Sequence, residues 1–230
     1  MVKNKKSVTG ERTLENYLYT SDKARMYALV CDMMNEACRN LERAVEALEE
    51  SDLALADQVI QNDEKVDELE ERIDQECLYS IAMRQPLRED LRYVYAVMKI
   101  VIDVERIGDQ AEDIAEIISF LHGHQAEDND LLREMAKAAI RMVTESVDAY
   151  VKCDTMLAEQ VIAEDDTVDG YFTQVKERLI GKIAQDPADG EYALDLLMIA
   201  KYFERIGDHA TNIAEWVIFS VTGVHKGGQG

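Results

Sequence analysis

Proline is almost absent, with 2 in 230 residues, so little in the chain forces a helix to end. Runs of β-branched residues bounded by turn residues are also few, while alanine, leucine, glutamate and methionine abound. Together these predict an all-α protein. Basic residues are scarce: 25 Lys and Arg stand against 47 Asp and Glu, a net charge of -22. No basic stripe is available to neutralise phosphates, which excludes nucleic acid as a partner. The acidic excess suits cations or basic protein surfaces.

Cysteine is equally sparse. The four lie at Cys31, Cys38, Cys77 and Cys153, with no CxxC pair and no histidine at zinc-finger spacing. Cys31 and Cys38 fall two helical turns apart, roughly 10 Å along the axis, too far for a disulfide. Reduced, buried thiols of a cytoplasmic protein are expected. There is no run of about 20 apolar residues, because Lys99 and Asp103 interrupt the most apolar stretch. The polar start, Met1 to Lys6, has no apolar region behind it and predicts no signal peptide. With 47% hydrophobic residues the chain can still bury a sizeable core, as one large domain or two small ones.

What is present is a repeat. Glu105-Arg106-Ile107-Gly108-Asp109 returns 99 residues later as Glu204-Arg205-Ile206-Gly207-Asp208. Ala111, Ile114, Ala115 and Glu116 answer to Ala210, Ile213, Ala214 and Glu215, giving nine identities within fifteen positions. Upstream the offset is 102: Asp52 answers to Asp154, Gln58-Val59-Ile60 to Gln160-Val161-Ile162, and Val66-Asp67 to Val168-Asp169. Pro187 answers to Pro86.

Residues 1–20 lack helical periodicity and read as a flexible arm. Ser21 and Asp22 are candidate N-caps of a first helix, whose stripe of Tyr27, Val30, Met34, Cys38, Leu41, Val45 and Leu48 runs to about Glu50. Asp52 caps a second helix reaching about Arg84. Pro86 with Glu89 and Asp90 opens a third. His122 and His124 lie in a short polar connector, and the pattern then repeats. Two tandem antiparallel three-helix bundles follow, over 21–122 and 126–223, with a glycine-rich tail at 224–230.

Val94, Val97, Val101, Val104, Gly108, Ala111, Ala115 and Ile118 form one core seam on the third helix, which needs no cofactor. Glu105 and Asp109 lie one turn apart on the flank of that seam, continued by Glu112 and Glu116, with Arg106 expected to pair with Asp103 or Asp109. Gly108 in a helix interior costs about 1 kcal/mol relative to alanine, as if a neighbouring backbone had to come close. On the second helix Asp63 stands in the inward stripe of Val59, Val66 and Ile73, and Asp67 follows one turn on. Asp165 and Asp169 repeat this between Val161 and Val168. An inward carboxylate is costly unless paired or metal-bound. Two such pairs on adjacent helices suit a cation that prefers hard oxygen ligands, such as iron, manganese or magnesium, over a thiolate-type zinc site.

These residues carry a resemblance. Pro86 followed by Asp90-Leu91-Arg92, the two Glu-Arg-Ile-Gly-Asp blocks, the continuation His209-Ala210-Thr211-Asn212-Ile213-Ala214-Glu215, and Val221-Thr222-Gly223 resemble the PhoU family of phosphate-uptake regulators over about residues 20–225. The resemblance implies two three-helix bundles, each with a pair of Glu/Asp-x-x-x-Asp motifs able to bind metal. Carried over, the first site is Asp63, Asp67, Glu105 and Asp109, and the second Asp165, Asp169, Glu204 and Asp208. The metal this implies is iron or another divalent or trivalent cation, such as manganese, zinc or magnesium.

The resemblance further implies a cytoplasmic negative regulator of phosphate uptake. It would contact a high-affinity ABC phosphate transporter and its sensor histidine kinase, form a homodimer, and meet the inner face of the membrane only through those partners. Asp113 against Asn212 departs from the internal symmetry and would make the two sites unequal. An enzyme is not expected. The Glu-x-x-His element of di-iron bundles is missing. His209, the one histidine in a motif, is matched by Gln110 at the same place in the other copy and reads as an exposed helix-surface residue. The alternative is a metal-binding or storage bundle without a role in phosphate signalling.

Overall fold

The computed structural model describes residues 5–121 and 130–225, with side chains described from Thr20 onward. Six long helices make up nearly all of it: α1 (Lys5–Glu50), α2 (Leu53–Tyr79), α3 (Glu89–Ile118), α4 (Asp130–Lys152), α5 (Thr155–Gln185) and α6 (Gly190–Thr222). Helices α1 to α3 form one bundle and α4 to α6 a second. The two join chiefly along α3 and α6, with a smaller contact between α1 and α4. The all-α, two-bundle expectation is met. His122 and His124, with most of the expected connector, lie outside the described residues.

The first turn of each bundle is built the same way. Asp52 accepts hydrogen bonds from Ala54 N and Leu55 N at 2.9 and 3.1 Å, and Asp154 from Met156 N and Leu157 N at 3.0 and 3.1 Å. Each carboxylate satisfies amides that the new helix leaves unpaired. The preceding helix ends on a left-handed residue, Ser51 (φ 54°) or Cys153 (φ 51°). The amide after it returns to the last turn, from Asp52 N to Ala47 O and from Asp154 N to Ala149 O, closing the helix as a left-handed cap does.

One expectation changes here. Because α1 begins at Lys5, Ser21 and Asp22 are interior residues and not N-caps. Asp22 is buried instead, and accepts from Arg84 Nε at 2.8 Å and Arg25 at 3.3 Å. Arg84 closes a π-helical turn, Ser80–Arg84, at the end of α2, so Asp22 ties α1 to the α2–α3 corner. The equivalent corner of the second bundle uses a 3-10 turn, Pro187–Asp189, capped by Asp186.

The core runs through both bundles without a break. All eight seam positions read on α3 are buried. Between the bundles the Tyr27 and Tyr150 rings stack with centroids 5.7 Å apart, and the Tyr93 and Tyr150 hydroxyls meet at 3.0 Å. At the far end Arg92 reaches from α3 to the last carbonyls of α6, bonding Ser220 O at 3.0 Å and Val221 O at 3.2 Å. Gly223 ends that helix at φ 80°, a conformation that costs glycine nothing. Among the described residues no helix is long and apolar enough to cross a membrane.

Candidate metal centre

The site in the first bundle begins with an aspartate in the wrong place. Asp63 occupies a core position of α2, between Val59 and Val66, and is only 6% exposed. Its carboxylate lies over Gly108 of α3, where a Cβ would meet Asp63 Oδ1 at 2.8 Å and Val66 Cγ1 at 3.3 Å. The glycine therefore clears space for these side chains, not for a neighbouring backbone. In the second bundle a Cβ on Gly207 would meet Asp165 Oδ1 at 3.3 Å and Val168 Cγ1 at 3.5 Å. The same device is present there with more room.

Around Asp63 the helices bring acids together. Asp63, Asp67 and Asp109 each offer a carboxylate oxygen within 4.8 Å of the others. Asp63 Oδ1 is buried without a hydrogen-bond partner. A buried, unsatisfied oxygen facing two further carboxylates is unfavourable unless a proton or a cation answers it. Burial first, then Glu112, Asp67, Asp109 and Glu105, push the Asp63 carboxyl up to about 7. Burial and Asp109 also raise Asp67, and burial and Asp109 raise Glu105 against the pull of Arg106. This donor set is all oxygen and anionic, and it fits a hard cation.

Glu105, the fourth expected ligand, stands at the edge of this group. Arg106 holds it at 3.3 Å and Asp109 at 2.8 Å, so the pairing expected with Asp109 is found. The alternative with Asp103 is not: that residue is buried and turned the other way, toward α6.

The second set is looser. Asp165 is half-buried and its carboxyl is pushed up to about 6 by burial, then by Asp208, Asp169 and Asp166. Asp169 and Asp208 are exposed, and Glu204 is ion-paired with Lys201. Among the described residues these four do not draw three carboxylate oxygens together as the first set does.

Sequence reasoning missed a polar contact between the bundles. Asp103 Oδ1 receives the Asn212 amide at 3.0 Å and the His209 ring nitrogen Nδ1 at 2.9 Å. A carboxylate only accepts, so Nδ1 carries the proton. His209 is thus half-buried against α3 and is not an exposed surface residue. The internal repeat places Tyr202 where Asp103 stands and Asp113 where Asn212 stands, and Tyr202 faces Asp113. The signal available was Asp103 itself, an acid on the buried side of α3 next to Val104.

The PhoU domain matches residues 30–118 and 132–217, one copy on each bundle. A phosphate-specific transport system accessory protein PhoU homolog from Clostridium acetobutylicum is 33% identical over 90% of this chain and 95% of its own. Another of that description, from Aquifex aeolicus, is 38% identical over 72% of this chain and 75% of its own. The crystal structure of PhoU from Pseudomonas aeruginosa, 33% identical, superposes with a TM-score of 0.87 over 90% of this chain and all of that one. A regulatory protein PhoU from Streptococcus pneumoniae, 22% identical, shares the fold at a TM-score of 0.84 over 90% of this chain and 98% of its own. With a domain match on each bundle and relatives aligned over most of both lengths, the chain belongs to the PhoU family.

Proposed function

We propose that this protein is a cytoplasmic negative regulator of phosphate uptake and of the phosphate-starvation response. It acts by contact with a high-affinity ABC phosphate transporter and its sensor histidine kinase. The observation that carries this reading is the presence of a PhoU domain on both bundles, in a chain aligned nearly end to end with named accessory proteins of phosphate-specific transport. As a member of that group it is a regulator accessory to phosphate transport and not an enzyme.

The acid sets are the metal sites of this reading: Asp63, Asp67, Glu105 and Asp109 on the first bundle, and Asp165, Asp169, Glu204 and Asp208 on the second. The orphaned Asp63 oxygen supports the first of them. A bound iron, manganese, zinc or magnesium ion supplies positive charge that these oxygens lack. The carboxylates themselves come from two helices, α2 with α3 and α5 with α6. Neutralising them removes a repulsion between those helices and sets the surface a partner meets. The charge of -22 favours a basic patch on that partner, with association weakening as salt screens it.

Deletion of the gene in its host tests the reading. Expression from a phosphate-starvation promoter should rise at high phosphate and fall again when the wild-type gene is restored. A version with Asp63, Asp67, Asp165 and Asp169 changed to asparagine should restore it poorly. Unchanged promoter output in a deletion strain without a second copy would end this reading.

A further inference from the structure

The two acid sets differ in what surrounds them. On α2 and α3, Glu70 follows Asp67 by three residues and Glu112 follows Asp109 by three, so each carries its acidic flank one turn further. Both are half-buried. The internal repeat puts Phe172 at the place of Glu70 and Thr211 at the place of Glu112. Glu112 weighs on Asp63 more than any other charge does, and Glu70 feels Asp67 and Asp109 as well as Asp74. Three carboxylates meet at the first site, Glu105, Glu70 and Glu112 continue the same two flanks, and Arg106 pairs with Glu105 and Asp109.

The second set, with Asp166 beside it, has an ammonium drawn in among its carboxylates. Lys201 is ion-paired with Glu204, its nitrogen lies 5.4 Å from the centre of the Phe172 ring, and it also pulls on Asp208. The first bundle has Ile102 at that position. Arg205, the counterpart of Arg106, acts instead on Asp113 across the bundle interface. The buried oxygen without a partner, Asp63 Oδ1, belongs to the first set alone among these eight acids.

We propose that Glu70 and Glu112 complete the first-bundle site, making it the tight cation site, while Lys201 serves as a built-in counter-ion that leaves the second-bundle site weak. The proposal rests on the reading of the acid sets as metal sites. It concerns which residues of this chain grade them. More carboxylates around an ion raise its affinity, and a fixed ammonium beside Glu204 must be displaced or repelled before a cation shares that oxygen.

The test is titration of the full chain, freed of metal, with manganese(II), read as loss of the free-ion electron paramagnetic resonance signal. Two classes of site are expected in the wild type. The double change Glu70→Gln and Glu112→Gln should weaken the tight class about tenfold or more and leave the weak class unmoved. Lys201→Met should tighten the weak class alone, and Asp165→Asn with Asp208→Asn should abolish it. Circular dichroism of each variant checks that the helices persist. A single class holding both sites at equal affinity would overturn the proposal while upholding the metal sites. So would a tight class indifferent to Glu70 and Glu112, or a weak class indifferent to Lys201. A wild type that takes up no manganese, iron, zinc or magnesium would overturn the metal sites themselves.

Discussion

Asp103 of α3 and His209 of α6 meet at 2.9 Å across the seam between the two bundles, and Asn212 brings a second donor to the same oxygen at 3.0 Å. Asp103 is only 8% exposed, so these donors stand in for the water it gives up. Removing one partner from a buried polar pair costs about 1–3 kcal/mol. His209→Ala should therefore lower the melting temperature by a few degrees, at about 2–4 °C per kcal/mol for a chain of this size. Asp103→Asn, which can still accept a hydrogen bond, should cost less than Asp103→Ala. Equal melting temperatures for wild type and His209→Ala in differential scanning calorimetry would remove this contact from the account of the interface.

Acid should stabilise the metal-free protein. The Asp63 carboxyl is held near 7 in the fold and Asp165 near 6, against about 3.9 for an unfolded aspartate. The folded state thus binds the proton more tightly. That stabilisation is complete below about 4 and is lost as pH rises through about 6 to 7. Chelator-treated protein should melt about 3–8 °C higher at pH 5.5 than at pH 7.5. Asp63→Asn should raise the melting temperature at pH 7.5 and flatten the profile. A thermal scan in which Asp63→Asn melts lower at pH 7.5 would contradict the picture of a destabilising, cation-seeking carboxylate.

The two helix glycines should respond differently to alanine. Alanine gains about 1 kcal/mol of helix propensity over glycine. At Gly207 the nearest atom is 3.3 Å from the new Cβ, and at Gly108 it is Asp63 Oδ1 at 2.8 Å. Gly207→Ala should be neutral or mildly stabilising. Gly108→Ala should displace the Asp63 carboxylate and weaken manganese binding at the first site several-fold. Wild-type affinity in Gly108→Ala, measured by calorimetric titration, would show that the carboxylate need not sit over the glycine.

At the end of α6, Gly223→Ala meets two obstacles. Its φ of 80° disfavours a Cβ by about 1–2 kcal/mol, and that Cβ would lie 2.6 Å from Arg92 Nη1. Arg92→Met removes the cap on Ser220 O and Val221 O but leaves the aliphatic stem. Each change should lower stability by about 1–2 kcal/mol, and the pair should cost less than the sum, since the two residues meet in one contact. Additive losses in urea unfolding would mean that they act independently.

Helix number, order and class were legible in the residues because they depend on local spacing. Asp52 and Asp154 cap where an aspartate before an apolar stripe is expected to. The α3 seam is buried residue for residue, and the inward position of Asp63 followed from its place between Val59 and Val66. The start of α1 was not legible, since residues 5–20 have no apolar stripe to mark a helix.

What required the tertiary structure is whatever depends on distance between helices. A repeat implies two like sites, yet the first set gathers three carboxylates that the second leaves apart. Spacing along one helix says nothing about how closely another approaches, or which way a neighbouring side chain turns. Asp103 could equally have answered Arg106 on its own helix. It reaches His209 and Asn212 because packing α3 on α6 buries its face and leaves those groups as its partners. Helical periodicity is a property of one strand of chain, whereas satisfying a buried charge is a property of the packed molecule.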